Sequence, residues 1–296
     1  MKRALNIAVS LGVLALVIWW ADAGAVLAHL RAASAGWLVL AGMSLTVLTF
    51  AMAKRWQIVG RALDLEISYR RAVGEYYIAQ LVNLILPGGV VGDVARAVRL
   101  RHAGDMVRAA QSVAAERIIG QVVTFAALGF GLAVAVIVPG GIAWPVPGWV
   151  VPVCGVAAVG VGIAVSRRSG ATGRFFRLIG RLLCNLNVLM LSALITVLLI
   201  FSLYACARAT GTHIPSAGWF TLILSAMLVP LSVGGWGWRE GAAAALFPLI
   251  GAAPEAGIAM GIAYGALMMI AALPGLYFWM RTPVPSTLSP SRMETL

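Results

Sequence analysis

Residues 86–96 read Leu-Pro-Gly-Gly-Val-Val-Gly-Asp-Val-Ala-Arg, and they interrupt an apolar stretch that begins near residue 72. Proline ends a helix because it lacks a backbone donor, and glycine lets the chain turn and lets a ligand approach the backbone. A half-helix that follows such a break points its positive N-terminal end at an anion. The stretch therefore predicts a broken helix suited to an anion such as phosphate.

A second interrupted stretch, at residues 229–240, reads Val-Pro-Leu-Ser-Val-Gly-Gly-Trp-Gly-Trp-Arg-Glu. In both stretches an apolar residue and a proline precede clustered glycines, and an acidic residue follows with an arginine nearby. Paired Gly/Pro-broken segments indicate an inverted repeat with the binding site where the broken helices meet. We therefore predict an inverted repeat hinged at both stretches. The predicted hinge residues are Pro87, Gly88, Gly89, Gly92, Pro230, Gly234, Gly235 and Gly237.

The composition is that of an integral membrane protein. Of the 296 residues, 61% are hydrophobic and only 11% are charged, and the mean hydropathy is +0.94. Charged residues make up about a quarter of a soluble domain. The net charge of +12 lies on a chain too apolar for a nucleic-acid-binding domain, so we expect no nucleic-acid partner. The excess of arginine is assigned to cytoplasmic loops and to contacts with anionic lipids.

Six apolar runs are long enough to cross a bilayer, which takes about 20 residues. They lie near residues 4–20, 35–53, 112–138, 148–166, 185–207 and 256–280. The first run ends in two tryptophans, which favours a retained helix over a cleaved signal peptide. The interrupted stretch at 72–91 is interpreted as a re-entrant hairpin. The stretch at 215–250 is either a second hairpin or a pair of short crossings.

The predicted fold is therefore all-α, with about six transmembrane helices and two re-entrant hairpins, or eight crossings in all. Residues 1–282 form one polytopic transmembrane domain in this interpretation. The remaining residues, 283–296, are rich in proline and serine and are expected to form a disordered cytoplasmic tail.

Basic residues predict the orientation, because lysine and arginine concentrate on the cytoplasmic side. Lys54 and Arg55 follow the second run and are assigned to a cytoplasmic loop, as are the arginines at 167–181. The arginines between 96 and 108 would fall outside if 72–91 crossed the membrane, and a hairpin that leaves on the cytoplasmic side removes this conflict. We expect a multi-pass protein of the cytoplasmic (inner) membrane with both termini inside.

Charged residues within or between apolar stretches are the candidate substrate-binding groups. Each costs about 2.5–3.5 kcal/mol to insert, so such residues are functional candidates by default. Arginines would bind phosphate, and carboxylates would orient them or bind an amine or a coupled proton. Structural ion pairs are the alternative interpretation. These candidates are Asp93, Arg96, Glu116, Arg117, Arg239 and Glu240.

Three polar residues precede the first break. Tyr76, Gln80 and Asn83 are spaced by four and three residues, which puts them on one face of a helix. This face either lines a headgroup cavity or satisfies the backbone freed by the break. Both interpretations remain open, and the three residues join the candidate substrate-binding set.

The three cysteines and three histidines are scattered and lack metal-ligand spacing. We therefore expect no metal and no cofactor, and we assign no catalytic residue. The chain has no P-loop, so transport would draw on gradients or on downhill flow.

Several motifs recur in a fixed order along the chain. They are Asn83, Leu86-Pro87-Gly88-Gly89, Gly92-Asp93, Arg96, Glu116-Arg117, Pro230 and Gly234-Gly235-Trp236-Gly237-Trp238-Arg239-Glu240-Gly241. Together they resemble the lysylphosphatidylglycerol synthase transmembrane-region family over about residues 4–280. That family includes the flippase domain of multiple peptide resistance factor proteins and stand-alone members, some associated with hopanoid biosynthesis. Asp93 stands where the family usually has glutamate, and Gly89 and Val90 stand where it usually has a polar or basic residue.

The resemblance implies lipid translocation between leaflets, with aminoacyl-phosphatidylglycerol as the cargo in two-domain relatives. In those relatives a soluble aminoacyl-transferring domain follows the membrane region. This chain ends at Leu296, soon after its last helix, so we expect no lysyl-lipid synthase activity.

The predicted function is that of a flippase for an anionic phospholipid or a lipid-linked headgroup. That lipid is the expected partner, and a homo-oligomer or proteins of envelope biosynthesis are considered as further partners. One alternative is an intramembrane lipid-modifying enzyme with Asp93 or Glu240 as general base. The other is a scaffold subunit of a cell-envelope lipid pathway that does not itself transport.

Overall fold

All regular structure in the described part of the chain is helical. The computed structural model describes residues 22–86, 89–100, 106–137, 162, 164–213, 223 and 234–281. The helices are α1 (Ala23–Arg31), α2 (Ala35–Arg61), α3 (Tyr69–Ile85), α4 (Val91–Leu100), α5 (Met106–Ile137), α6 (Ala171–Leu183), α7 (Leu186–Ala209), α8 (Trp238–Leu246), α9 (Pro254–Ala272) and α10 (Pro274–Arg281). A short 3-10 helix, Phe247–Ile250, connects α8 toward α9.

Four helical segments in the described residues are long and apolar enough to cross a membrane. They are Ala35–Arg61, Met106–Phe130, Leu186–Ala209 and Pro254–Arg281, the last formed by α9 and α10 together. They correspond to four of the six predicted runs, and the prediction of an all-α membrane protein is confirmed. The run at 4–20, most of the run at 148–166 and the tail at 283–296 lie outside the described residues. The number of crossings stays a prediction.

The segment after α1 is in contact with the end of α7. The backbone N–H of Ser34, after α1, donates to the carbonyl of Ala209 at the end of α7, at 2.9 Å. Nearby, Nδ1 of His29 lies 3.0 Å from the carbonyl oxygen of Thr210. The start of α2 and the end of α7 therefore lie at the same end of the bundle.

Helices α3 and α4 form an antiparallel hairpin around the first Gly-rich break. Nε of Arg99, near the end of α4, lies 3.0 Å from a carboxylate oxygen of Glu75 in α3. The side chain of Arg71 also donates to the carbonyl of Arg99, at 3.0 Å. The first arm thus starts where the second arm ends, which is the shape predicted for a hairpin that enters and leaves on one side. Its path in the bilayer stays a prediction.

Three glycines of α9 let α8 pack closely against it. Gly257, Gly261 and Gly265 recur every fourth residue, the spacing that brings helix backbones together in membranes. A Cβ on Gly257 would lie 2.7 Å from the carbonyl oxygen of Ala243, and one on Gly261 would lie 3.0 Å from Cγ of Glu240. The close packing positions the charged start of α8 against the last span.

We expect Gly257→Ala to destabilise the protein, because its new methyl group meets the backbone of α8 and forces the helices apart. Overpacking of this kind costs about 1–3 kcal/mol. Gly180→Ala in α6 is the matched control, since a Cβ there has open space around it. Thermal unfolding in detergent should show a lower Tm for Gly257→Ala and an equal or higher Tm for Gly180→Ala. Equal Tm values for the two variants would contradict the packing.

Candidate functional site

A glutamate in the third predicted run lies between two arginines from other helices. Glu116 of α5 accepts from Nη2 of Arg55 at 2.6 Å and from Nε of the same residue at 3.2 Å. Its second oxygen lies 3.2 Å from Nη2 of Arg96, which belongs to α4. All three residues are buried. Because an unpaired charge is very costly in such surroundings, Glu116 ties α2, α4 and α5 together.

Arg96 is held between two aromatic rings. Its guanidinium carbon lies 4.3 Å from the ring centroid of Trp56 and 4.2 Å from that of Tyr76. Nη2 of Arg96 also lies 3.0 Å from Oδ1 of Asp93, one turn earlier in α4. Cation–π contact favours a planar guanidinium at such a position. Arg96 is therefore fixed at the centre of the charged residues.

Arg117 forms the accessible edge of this group. Its Nη2 donates to Oδ2 of Asp93 and, at 2.9 Å, to the carbonyl of Gly89 in the break. The side chain of Arg117 is 40% exposed, whereas that of Asp93 is 11% exposed. We call Arg55, Asp93, Arg96, Glu116 and Arg117 the buried charge network. Arg117 is the most exposed residue of this network.

The network carries more positive than negative charge. Three guanidinium groups face two carboxylates, so one positive charge is in excess when all are ionised. Arg117 is the twelfth of the 32 residues of α5 and lies within the candidate span Met106–Phe130. The arrangement suits an anion that is bound among apolar helices.

The assignment of Lys54 and Arg55 to a loop is wrong, because both residues lie within α2. Helix α2 continues to Arg61, and Arg55 is buried six residues before that end, about 9 Å along the axis. Arg55 also donates to Oγ of Ser192 in α7, at 3.0 Å. A sequence signal did exist, since Arg55 keeps helical spacing with the apolar residues Met52 and Val59.

The polar residues before the first break make defined contacts. Asn83 accepts from the backbone N–H of Gly92 at 2.7 Å and donates to Asp93 at 3.1 Å, so it supports the broken backbone. Gln80 bonds to the hydroxyl of Thr49 in α2, at 3.1 Å. Tyr76 supports Arg96, as described above. Asn83 thus fits the backbone-satisfying interpretation, and Tyr76 lines the network itself.

The predicted hinge glycines adopt conformations or contacts that require glycine. Gly92 packs so closely on Ala79 that a Cβ would collide with its carbonyl oxygen. The others described have φ angles of 60° (Gly89), 56° (Gly234), 82° (Gly235) and 84° (Gly237). These values lie in the left-handed region, which side chains disfavour. Pro87, Gly88 and Pro230 lie outside the described residues.

A second buried ion pair lies in the first turn of α8. Arg239 and Glu240 are both fully buried, and Arg239 donates to Oε1 of Glu240 through Nη2 and, at 3.0 Å, through Nε. The other oxygen of Glu240 accepts from the backbone N–H of Gly237 at 2.7 Å. The guanidinium carbon of Arg239 lies 4.9 Å from the ring centroid of Trp236 and 5.4 Å from that of Tyr264. This pair is enclosed, in contrast to Arg117.

The second Gly-rich stretch contacts the end of α3, just before the first break. A Cβ on Gly234 would lie 3.1 Å from Cδ2 and 3.3 Å from Cα of Leu84, near the end of α3. The turn of the second stretch therefore packs against the arm that leads into the first break. The inverted repeat itself stays a prediction, because residues 224–233 lie outside the described part.

Metal ligands are not assembled in the described ranges. No group of three His, Cys, Asp or Glu side chains comes together there. The carboxylates of Asp93, Glu116 and Glu240 all pair with arginines instead.

A bundle of apolar spans that encloses charged side chains at broken helices defines a multi-pass integral membrane protein with a polar site inside the membrane region. The model of the family described as lysylphosphatidylglycerol synthase TM region matches residues 5–275, and the chain belongs to this family. No curated protein and no solved structure matches the chain. Family membership supports a function related to membrane lipids.

We expect Arg239→Met to be strongly destabilising, because it leaves the buried carboxylate of Glu240 unpaired. Breaking a buried pair on one side costs about 3–5 kcal/mol. The double variant Arg239→Met with Glu240→Gln removes both charges and should recover much of the lost stability. Tm values of the wild type, both single variants and the double variant test this cycle. A double variant whose loss equals the sum of the single losses would contradict a coupled pair.

Arg96→Lys should also lower stability, since an ammonium group cannot lie flat between the Trp56 and Tyr76 rings. Desolvated cation–π contacts contribute about 2 kcal/mol. The control is Arg99→Lys, because Arg99 forms a partly exposed pair with Glu75 and should tolerate lysine. Thermal unfolding of the two variants in the same detergent makes the comparison. Equal losses would show that the aromatic sandwich contributes nothing specific to arginine.

Proposed function

We propose that this protein is a flippase that moves an anionic phospholipid or a lipid-linked anionic headgroup between the leaflets of the cytoplasmic (inner) membrane. The observation that carries the proposal is Arg117, a partly exposed arginine within a candidate span, attached to a network with an excess positive charge. Such a group offers a phosphate charged N–H donors inside an apolar bundle. Family membership supports the lipid-related part of the proposal.

Arg117 is able to exchange Asp93 for a phosphate at low cost. Asp93 also accepts from Arg96 at 3.0 Å and from Asn83 at 3.1 Å. The carboxylate therefore keeps partners when Arg117 turns to a headgroup. This avoids the penalty of leaving a buried charge unpaired. The carbonyl of Gly89 accepts from the same Nη2 of Arg117, at 2.9 Å, and helps to hold the resting position of this side chain.

We propose that the Arg239–Glu240 pair binds the headgroup when the site is open to the opposite side of the membrane. Arg239 is enclosed while Arg117 is accessible, which is the asymmetry of a site open on one side only. Movement of one hairpin against the other at the Leu84–Gly234 contact would expose the two arginines in turn. Transport of this kind needs no ATP motif and draws on gradients or on downhill flow.

We propose transport in preference to catalysis. Asp93 and Glu240, the candidate general bases, are each occupied by an arginine and by a further N–H donor. A general base must instead be within hydrogen-bond reach of a substrate proton. The proposed orientation has both termini in the cytoplasm, because the arginine-rich helix α6 then lies on the cytoplasmic side.

The test uses the purified full chain in vesicles that contain fluorescently labelled phosphatidylglycerol. An impermeant reductant bleaches label only in the outer leaflet, so lipid movement appears as loss of the protected fraction. We expect the wild type to accelerate this loss and Arg117→Gln to slow it about tenfold, which corresponds to about 1.4 kcal/mol. Arg108→Gln is the matched control, because Arg108 lies in the same helix in an exposed pair with Asp64.

Two outcomes would contradict the proposal. If the folded wild type moves lipid no faster than empty vesicles, the scaffold interpretation takes precedence. If Arg117→Gln and Arg108→Gln both retain the wild-type rate, Arg117 does not bind the headgroup. A parallel assay with labelled phosphatidylcholine measures the preference for an anionic lipid.

A further inference from the structure

A groove of about 490 Å³ lies between the first turns of α5 and the start of α6. Its walls are mainly apolar and include Met106, Ala110 and Ala114 of α5 and Phe175 of α6. The volume falls within the range of about 300–1,000 Å³ that is usual for ligand sites. An apolar lining of this kind accommodates hydrocarbon, and the polar side chains among the lining residues are Gln111 and Thr172.

The face of α5 that lines the groove leads directly to Arg117. Ala110, Ala114 and Arg117 are spaced by four and three residues, so they lie along one side of the helix. Gln121 and Thr124 continue this side deeper into the candidate span, with the same spacing. Among the described residues, Oε1 of Gln121 has no hydrogen-bond partner although it is buried. An apolar groove thus continues into a line of polar groups.

Helix α6 gives the groove a cationic surrounding. Its buried residues Ile179 and Leu182 pack on the core formed with α2, α5 and α7. Its exposed side carries Arg174, Arg177 and Arg181, and none of these forms an ion pair within the ranges described. The sequence has no acidic residue between Glu116 and Glu240. A basic amphipathic helix of this type attracts anionic headgroups at a membrane surface.

We propose that the groove between α5 and α6 is the lateral entrance through which a phospholipid with an anionic headgroup leaves its leaflet and reaches Arg117. An acyl chain lies in the groove against Ala110 and Ala114, and the arginines of α6 concentrate anionic headgroups nearby. The phosphate then passes to Arg117 and onward along Gln121. This inference rests on the proposed function and assigns the path that the lipid takes.

The test detects occupancy without requiring transport. The full chain in nanodiscs is irradiated with phosphatidylglycerol that carries a photoreactive diazirine in its acyl chain, and the labelled peptides are mapped by mass spectrometry. Phosphatidylcholine with the same chain is the comparison. We expect phosphatidylglycerol to label the groove residues of α5 and α6 in excess. Ala114→Trp, which fills the groove, should lower this labelling about tenfold, or about 1.4 kcal/mol of affinity.

The matched control is Ala126→Trp, the same change on an exposed position of the opposite face of α5. It should leave both groove labelling and lipid movement unchanged, whereas Ala114→Trp should reduce both. Labelling spread evenly over exposed faces, or the same result for both tryptophan variants, would overturn the entrance. Because labelling is also mapped on the wild type, the test of the entrance does not depend on whether either variant folds.

The entrance and the proposed function fail in different ways. If the groove is labelled but the wild type moves no lipid, the groove remains a lipid-binding site and the flippase proposal is rejected. If lipid movement depends on Arg117 but the groove is not labelled, the flippase proposal stands and the groove is not the entrance. Excess inorganic phosphate should not compete with groove labelling, and competition would overturn the assignment to a phospholipid.

Discussion

An ionised side chain among apolar helices needs a partner of opposite charge, and this constraint organises the described part of the structure. Glu116 meets Arg55 and Arg96, which come from two other helices. These ion pairs fix the rotation of each helix about its axis and its position along that axis, because a shift of one turn would leave a buried charge unpaired. The α3–α4 hairpin, the third predicted run and α2 are therefore best understood as one charged unit with apolar surroundings.

Glycine makes room for these charged groups. A Cβ on Gly265 would collide with the guanidinium of Arg239, and one on Gly120 would lie 3.1 Å from Nη2 of Arg55. Small residues in membrane helices are often explained by close backbone packing alone. Here they also provide the space that an arginine side chain occupies inside the bundle. Packing and electrostatics consequently depend on the same positions.

The two arginine sites differ in access, and the difference bears on mechanism. Arg239 is enclosed by aromatic rings and by Glu240, whereas Arg117 borders the break and the face of α5 that leads from the groove. Under the proposed function, the conformation described is one in which the first site receives lipid and the second is closed. The groove, the network and the Leu84–Gly234 contact then form successive parts of one route.

The sequence by itself determined the membrane class, four of the spans described, the breaks and most of the charged candidates. These are local properties: hydropathy, helix-breaking glycine and charge within an apolar run are visible in a short window. Tertiary structure decided that Arg55 belongs to the network, since its partners Glu116 and Ser192 lie 61 and 137 residues away. It also decided which side of α5 borders a groove, because that depends on α6 packing beside it. Pairing between distant residues leaves no mark in a local pattern.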